Sequence, residues 1–167
     1  MRQLKRNFES NGYVKIKNFC SKQKIFKNIV NKFYLDLDKE IKKSEFKKLG
    51  GALIGNLNVD PGRYGPVIFN FLKKKGLKKI IKDITGKSLS SFDVIFGGNL
   101  CLPNGHNQHF HTDGGFNDKM ILVSIATSDV DLKSGPTEII KNSHKKNIKY
   151  WKFLIQKKKY KKLTLSF

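Results

Sequence analysis

The spacing of apolar residues changes character near Gly86, and that change constrains the fold more than any other feature of the chain. Before it, Ile25, Ile29, Phe33 and Leu37 recur at four-residue steps, which predicts one face of a helix that Ser21 can cap. Val67, Phe71 and Leu72, then Leu77, Ile80, Ile81 and Ile84, predict two shorter helices broken at Gly76, with Gly86 as the stop signal. After Gly86 the apolar stretches are short and β-prone. Residues 91–102, 108–112, 119–128 and Thr137–Lys141 read as strands, separated by turn chemistry at Pro103-Asn104-Gly105 and Gly135-Pro136. One earlier strand is predicted over 13–19, and loops at Gly50-Gly51 and Asp60-Pro61-Gly62. Helices first and strands second predict an α+β or mainly β domain: a β-sandwich-like core with a helical N-terminal cover. The expected organisation is a single domain over 1–167. Residues 1–90 are its mainly helical part and 91–144 its strands, and a Lys-rich tail over 145–167 carries Tyr150, Trp151, Phe153 and Tyr160.

A chain of 167 residues matches one domain and is long enough to bury a core. Its two cysteines, Cys20 and Cys101, allow at most one bridge, which excludes a disulfide scaffold and predicts a reduced, cytoplasmic setting. The longest apolar runs, such as Met120–Ala126, fall far short of a membrane span, so no membrane partner is expected. The charged N-terminus is followed by no apolar stretch, so no signal peptide is expected either.

The net charge of +21 comes from 34 Lys and Arg against 13 Asp and Glu, and 31 of those basic residues are Lys. Dedicated readers of phosphates and bases favour Arg for its bidentate fork. The charge is also uneven: +9 over residues 1–50, +2 over 51–140 and +10 over 141–167. A solvated surface is the favoured reading, and nucleic-acid binding through the Lys-rich tail is the alternative.

Three of the four histidines, His106, His109 and His111, fall within six residues and lead into Asp113. Alternate side chains of an extended segment share a face, so His111 and Asp113 project together while Thr112 points away. An imidazole nitrogen and a carboxylate oxygen so placed make two corners of a facial 2-His-1-carboxylate site, which binds Fe(II) and leaves open positions opposite. Gly114-Gly115 lets the chain turn away beside such a site. A bare His-x-Asp is common, and a surface His followed by a turn Asp is the competing reading.

The surrounding residues supply a further signal. Gly98-Asn99-Leu100-Cys101-Leu102-Pro103, then Gln108 through His111, Asp113 and Gly114, then the apolar stretch 120–127 running to Gly135 and Ser143-His144, resemble the phytanoyl-CoA dioxygenase family. The resemblance is best over 91–147. It implies a double-stranded β-helix (jelly-roll, cupin-like) core and an Fe(II)- and 2-oxoglutarate-dependent hydroxylase acting on a small-molecule substrate. It implies His111 and Asp113 as metal ligands, and Gln108 and Asn99 as residues lining the 2-oxoglutarate pocket. His109 is expected to line the pocket, His106 to sit in a loop, and Phe110 and Phe116 to form core or wall.

The resemblance also shows a departure. The family carries a second metal His and a carboxylate-binding Arg tens of residues beyond the Ser-His element. In this chain no Arg follows Arg63 and no His follows His144. By the resemblance His144 belongs to the Ser-His turn, with a place as third ligand the alternative, and Lys141-Asn142 stands where the family has Pro-Gly. The expectation is a shortened or degenerate member of the family with weak or no activity. A basic nucleic-acid-binding module and a non-catalytic, cupin-like metal- or small-molecule-binding protein are the competing functions.

Overall fold

The computed structural model describes residues 2–20, 22–44, 55–114, 120–145, 156–157 and 162–165. It falls into two compact units, one of Met1–Arg2 with Ile16–Asn107, the other of Gln3–Lys15 with Gln108–Phe167. Most of the first helix groups with the C-terminal stretch, and the strand at Gly98 groups with the helices of residues 24–85.

The first unit holds α2 (Lys24–Ser44), β1 (Asn56–Val59), α3 (Tyr64–Lys74), α4 (Leu77–Thr85) and β2 (Gly98–Cys101). Its core follows the apolar spacing on α4 and at Leu72 of α3, but Val67 is exposed and the phase shifts on α2. Phe26 and Val30 are the buried positions there, whereas Ile25 is 67% exposed. Phe26 stacks on Phe71 of α3 with ring centroids 5.5 Å apart, and Phe33 meets Tyr64 edge-on at 5.5 Å. Leu72 from α3 and Leu77, Ile81 and Ile84 from α4 complete the buried set with Cys20, Leu57 and Val59. The break between α3 and α4 falls at Gly76 and the stop at Gly86. There the chain takes φ +76°, a left-handed conformation that costs glycine little, and the Gly86 amide closes on the Lys82 carbonyl.

Strands β1 and β2 pair antiparallel, Leu57 opposite Leu100 and Asn58 opposite Asn99. The Leu102 amide extends this ladder by donating to the Gly55 carbonyl at 2.8 Å, and Pro103-Asn104-Gly105 then turns back onto Leu102. Both cysteines are free, Cys20 buried and Cys101 exposed. Burial pushes the Cys20 thiol up, against the pull of the Lys75 charge.

In the second unit, α1 (Arg2–Asn11), which the apolar pattern does not predict, precedes a non-helical stretch. The strand expected at 13–19 does not form: residues 13–16 have no ladder and 17–18 turn, with Asn18 at φ +57°. Residues 108–112 form no ladder, nor do the described residues of 119–128, where Met120, Leu122 and Val123 are exposed rather than buried. Of the expected strands, β3 (Thr137–Ile140) is present and pairs antiparallel with β4 (Lys162–Leu165), Ile139 opposite Leu163. Ile140 is buried. The expectations at Ser21, Gly50-Gly51 and Phe116, and most of those on the tail, lie outside the described residues. No helix is long and apolar enough to cross a membrane among the described residues.

Candidate metal centre

His111 and Asp113 are brought together, although the segment carrying them joins no sheet. His111 Nε2 lies 3.2 Å from Asp113 Oδ1, and the two side chains are about half exposed, at 54% and 49%. Between them the Thr112 hydroxyl donates to the Gly114 carbonyl at 3.1 Å, across the bend at 113–114.

The other ring nitrogen fixes the tautomer. His111 Nδ1 lies 2.6 Å from the His109 carbonyl oxygen. A carbonyl oxygen only accepts, so Nδ1 carries the proton and, in the neutral ring, the lone pair sits on Nε2. That lone pair then faces a carboxylate oxygen. Two electron-rich atoms at this separation repel unless a cation stands between them, either a proton on Nε2 or a metal ion shared by both. Tying the remote nitrogen of a histidine to a backbone carbonyl is the common way to orient a metal-ligating imidazole. The span fits as well. Ligand bonds of about 2.1 Å place two donors about 3.0 Å apart at an octahedral angle and about 3.4 Å apart at a tetrahedral one.

The remaining candidates stand elsewhere. His144 Nε2 donates to the Glu9 carbonyl at 3.1 Å, and its ring lies against Gly12. It is committed to fastening the 3₁₀ turn Ser143–Lys145 to α1. Among the described residues no three His, Cys, Asp or Glu side chains gather as a metal site. The alternative place for His144, as a third corner beside His111 and Asp113, is not the one it takes in this structure. Gln108 and His109 are exposed. His109 contributes its backbone carbonyl to the site, a role that no side-chain pattern announces. Asn99 belongs to the other unit, exposed on β2 opposite Asn58. His106 lies in a loop and its carbonyl accepts from Asn56 Nδ2.

The arginine position is equally informative. Arg63 Nη2 reaches Asp36 Oδ2 at 2.6 Å and the guanidinium lies over the Tyr64 ring. It serves a structural pair in the first unit. The pair of His111 and Asp113 can hold one divalent cation by two cis donors and leaves the rest of its coordination sphere to other ligands. No protein-family model, no curated protein and no solved structure matches the chain.

Proposed function

We propose that this chain is a divalent-metal-binding protein of the Fe(II)- and 2-oxoglutarate-dependent oxygenase type, on a scaffold related to the jelly roll, with weak or absent turnover. The observation that carries the reading is the His111–Asp113 pair, with Nδ1 tied to the His109 carbonyl and Nε2 aimed at the carboxylate. When bound at such a pair, Fe(II) supplies the redox chemistry by which this class of enzyme couples 2-oxoglutarate decarboxylation to hydroxylation.

The chain's own residues do less than that chemistry needs. His111 and Asp113 provide two donors, and Asp113 offsets one of the two positive charges of the ion. Of the arginines in these 167 residues, Arg2, Arg6 and Arg63, none follows the motif, where the resemblance places the one that pairs with the cosubstrate carboxylate. A bidentate Arg–carboxylate contact is among the stronger charge-assisted contacts, so this reading expects weak cosubstrate binding by these residues.

The test is an anaerobic titration of the full chain with Fe(II) or Co(II), followed by an assay for succinate. The expected result is one metal per chain, an affinity lowered at least ~10-fold in His111→Ala, and no succinate above background. Absence of metal binding, or binding unaltered in His111→Ala, overturns the assignment. Succinate production that His111→Ala abolishes overturns the statement that turnover is weak or absent.

A further inference from the structure

The middle of the chain carries little net charge, yet its basic residues are not spread through it. Of the ten Lys and Arg between residues 51 and 140, seven lie at Lys73, Lys74, Lys75, Lys78, Lys79, Lys82 and Lys87, with Asp83 the one acid among them. These are the end of α3, the link at Gly76, the whole outer face of α4 and the residue just past it. On α4, Leu77, Ile81 and Ile84 are buried, and Lys78, Lys79 and Lys82 fall on the opposite side of the helix, all exposed. The first turn of α4 contains no acid, and its N-cap is Gly76, which has no side chain to cap the leading amides. The positive end of the helix dipole therefore adds to the lysines around it.

The C-terminal half of α2 gives a contrast. There the lysines are interleaved with acids at helical spacing, Lys39 with Asp36, Lys42 with Asp38 at 2.6 Å, and Lys43 with Glu40 at 3.1 Å, whereas Lys24, Lys27 and Lys32 nearer its start are spread along the helix. Lys75 donates to Gln23, and Lys73 lies over the Phe69 ring, so those two also fasten the fold. Among the described residues, Lys74, Lys78, Lys79, Lys82 and Lys87 take part in no ion pair. Lys74, Lys78, Lys79 and Lys82 thus lie without an ion pair on two short helices that are anchored in the core of their unit, with Lys87 just past α4 and Asp83 as the one acid beside them.

We infer that the outer face of α4, with the adjoining end of α3, is a docking surface for the phosphate backbone of a nucleic acid. The chemistry of the face selects this partner over other anions. An anionic membrane surface would hold an amphipathic helix by its apolar side, and that side of α4 is buried, with Leu77, Ile81 and Ile84 at 5%, 4% and 7% exposure. A protein partner would be expected to find aromatic or Arg anchors, whereas Lys is depleted at such interfaces. The face offers only Lys. Lysines act as point charges on phosphate and read no base pattern, so the contact is independent of sequence. This inference stands apart from the metal pair, which lies in the other unit.

The experiment is fluorescence anisotropy of the full chain with a labelled 20-base-pair random-sequence DNA duplex, titrated at salt concentrations from ~50 to ~200 mM. Binding is expected to weaken steeply with salt. The triple variant Lys78→Gln, Lys79→Gln, Lys82→Gln should reduce the slope of log K against log salt by about 2–3, from about 0.9 for each phosphate contact removed. The matched α2 variant Lys39→Gln, Lys42→Gln, Lys43→Gln should leave slope and affinity unchanged. All six positions are exposed, and unchanged circular dichroism and thermal midpoint confirm that each variant is folded. Three results overturn the inference: no duplex binding at ~50 mM salt, a slope unaltered in the α4 variant, or a loss of binding seen only when Lys157, Lys158 and Lys159 of the tail are changed. Binding to phosphatidylserine vesicles that exceeds duplex binding and is lost in the same α4 variant overturns the choice of nucleic acid.

Discussion

Asp36 and Tyr64 are joined by a 2.6 Å hydrogen bond in which the phenol donates to the carboxylate, fastening the middle of α2 to the first residue of α3. Arg63 reaches the same oxygen, so one carboxylate holds two side chains that precede and open α3. The Tyr64 hydrogen bond and, next, that from Arg63 hold the Asp36 carboxyl below the usual carboxylate range.

A first prediction concerns acid. Because Asp36 titrates lower in the folded chain than in the unfolded one, its contribution is fully present above the unfolded value, near pH ~3.9, and is lost as pH falls through the depressed folded value. Asp36→Asn should lower the thermal midpoint at pH 7 and flatten the acid limb of the stability profile, so that the variant and the parent converge as pH falls through the depressed folded value. A constant offset between them at every pH would show that the residue acts through packing and not through its charge.

A second prediction separates core from surface. Leu72 and Ile81 are each 4% exposed, and truncating either to Ala should cost about 2–5 kcal/mol in urea denaturation. Leu122, at 68% exposed, looks equally apolar in the sequence, and Leu122→Ala should change stability by no more than about 0.5 kcal/mol. A large loss at Leu122 would mean that the segment is covered in solution.

A third prediction concerns the seat of His144. Gly12 has φ +83°, and a side chain there would also meet the His144 ring, with Cγ only 2.8 Å from the added carbon. Gly12→Ala should therefore destabilise the chain by about 1–2 kcal/mol for the backbone, with the displaced ring adding to this. In the background of His144→Ala the same substitution should cost only the backbone part. Equal costs in the two backgrounds would mean that the ring does not rest on Gly12.

How much of this was readable in the sequence depends on whether the signal was local. The pair α3 and α4 was legible because apolar spacing, Gly76 and Gly86 agree. The phase of α2 was not, since Ile25 and Phe26 are equally apolar and only packing against Phe71 decides between them. Helix α1 was missed because Leu4 and Phe8 alone mark its face, and its turns are secured by polar pairs such as Lys5–Glu9 and Gln3–Asn7. Strand β1 was missed because Asn56 and Asn58 are poor strand formers, although Leu57 and Val59 alternate with them into the core. The strand expected over 13–19 had the right alternation, but the chain turns at both ends, at Gly12 and Asn18, and it joins no ladder among the described residues. Strand identity rests on a neighbour that local pattern does not name. In the candidate site the juxtaposition of His111 and Asp113 was legible from alternation. The His109 carbonyl and the separate employment of His144 were not, because both are backbone contacts.

The last prediction tests the proposal that two donors share one ion. His111 Nε2 and Asp113 Oδ1 lie 3.2 Å apart, close enough to act as a chelate. A chelate loses most of its advantage when either donor is removed, because the survivor is then a single ligand with no neighbour to hold the ion in place. His111→Ala and Asp113→Asn should each lower Co(II) affinity by at least ~10-fold, and the double variant should fall little below either single one. His144→Ala should leave Co(II) affinity unchanged while it lowers the thermal midpoint, since its nitrogen is bonded to the Glu9 carbonyl. Isothermal titration of the four variants beside the parent checks this directly. Fully additive losses at His111 and Asp113 would mean that the two bind separate ions, and a loss at His144 would restore it as a ligand.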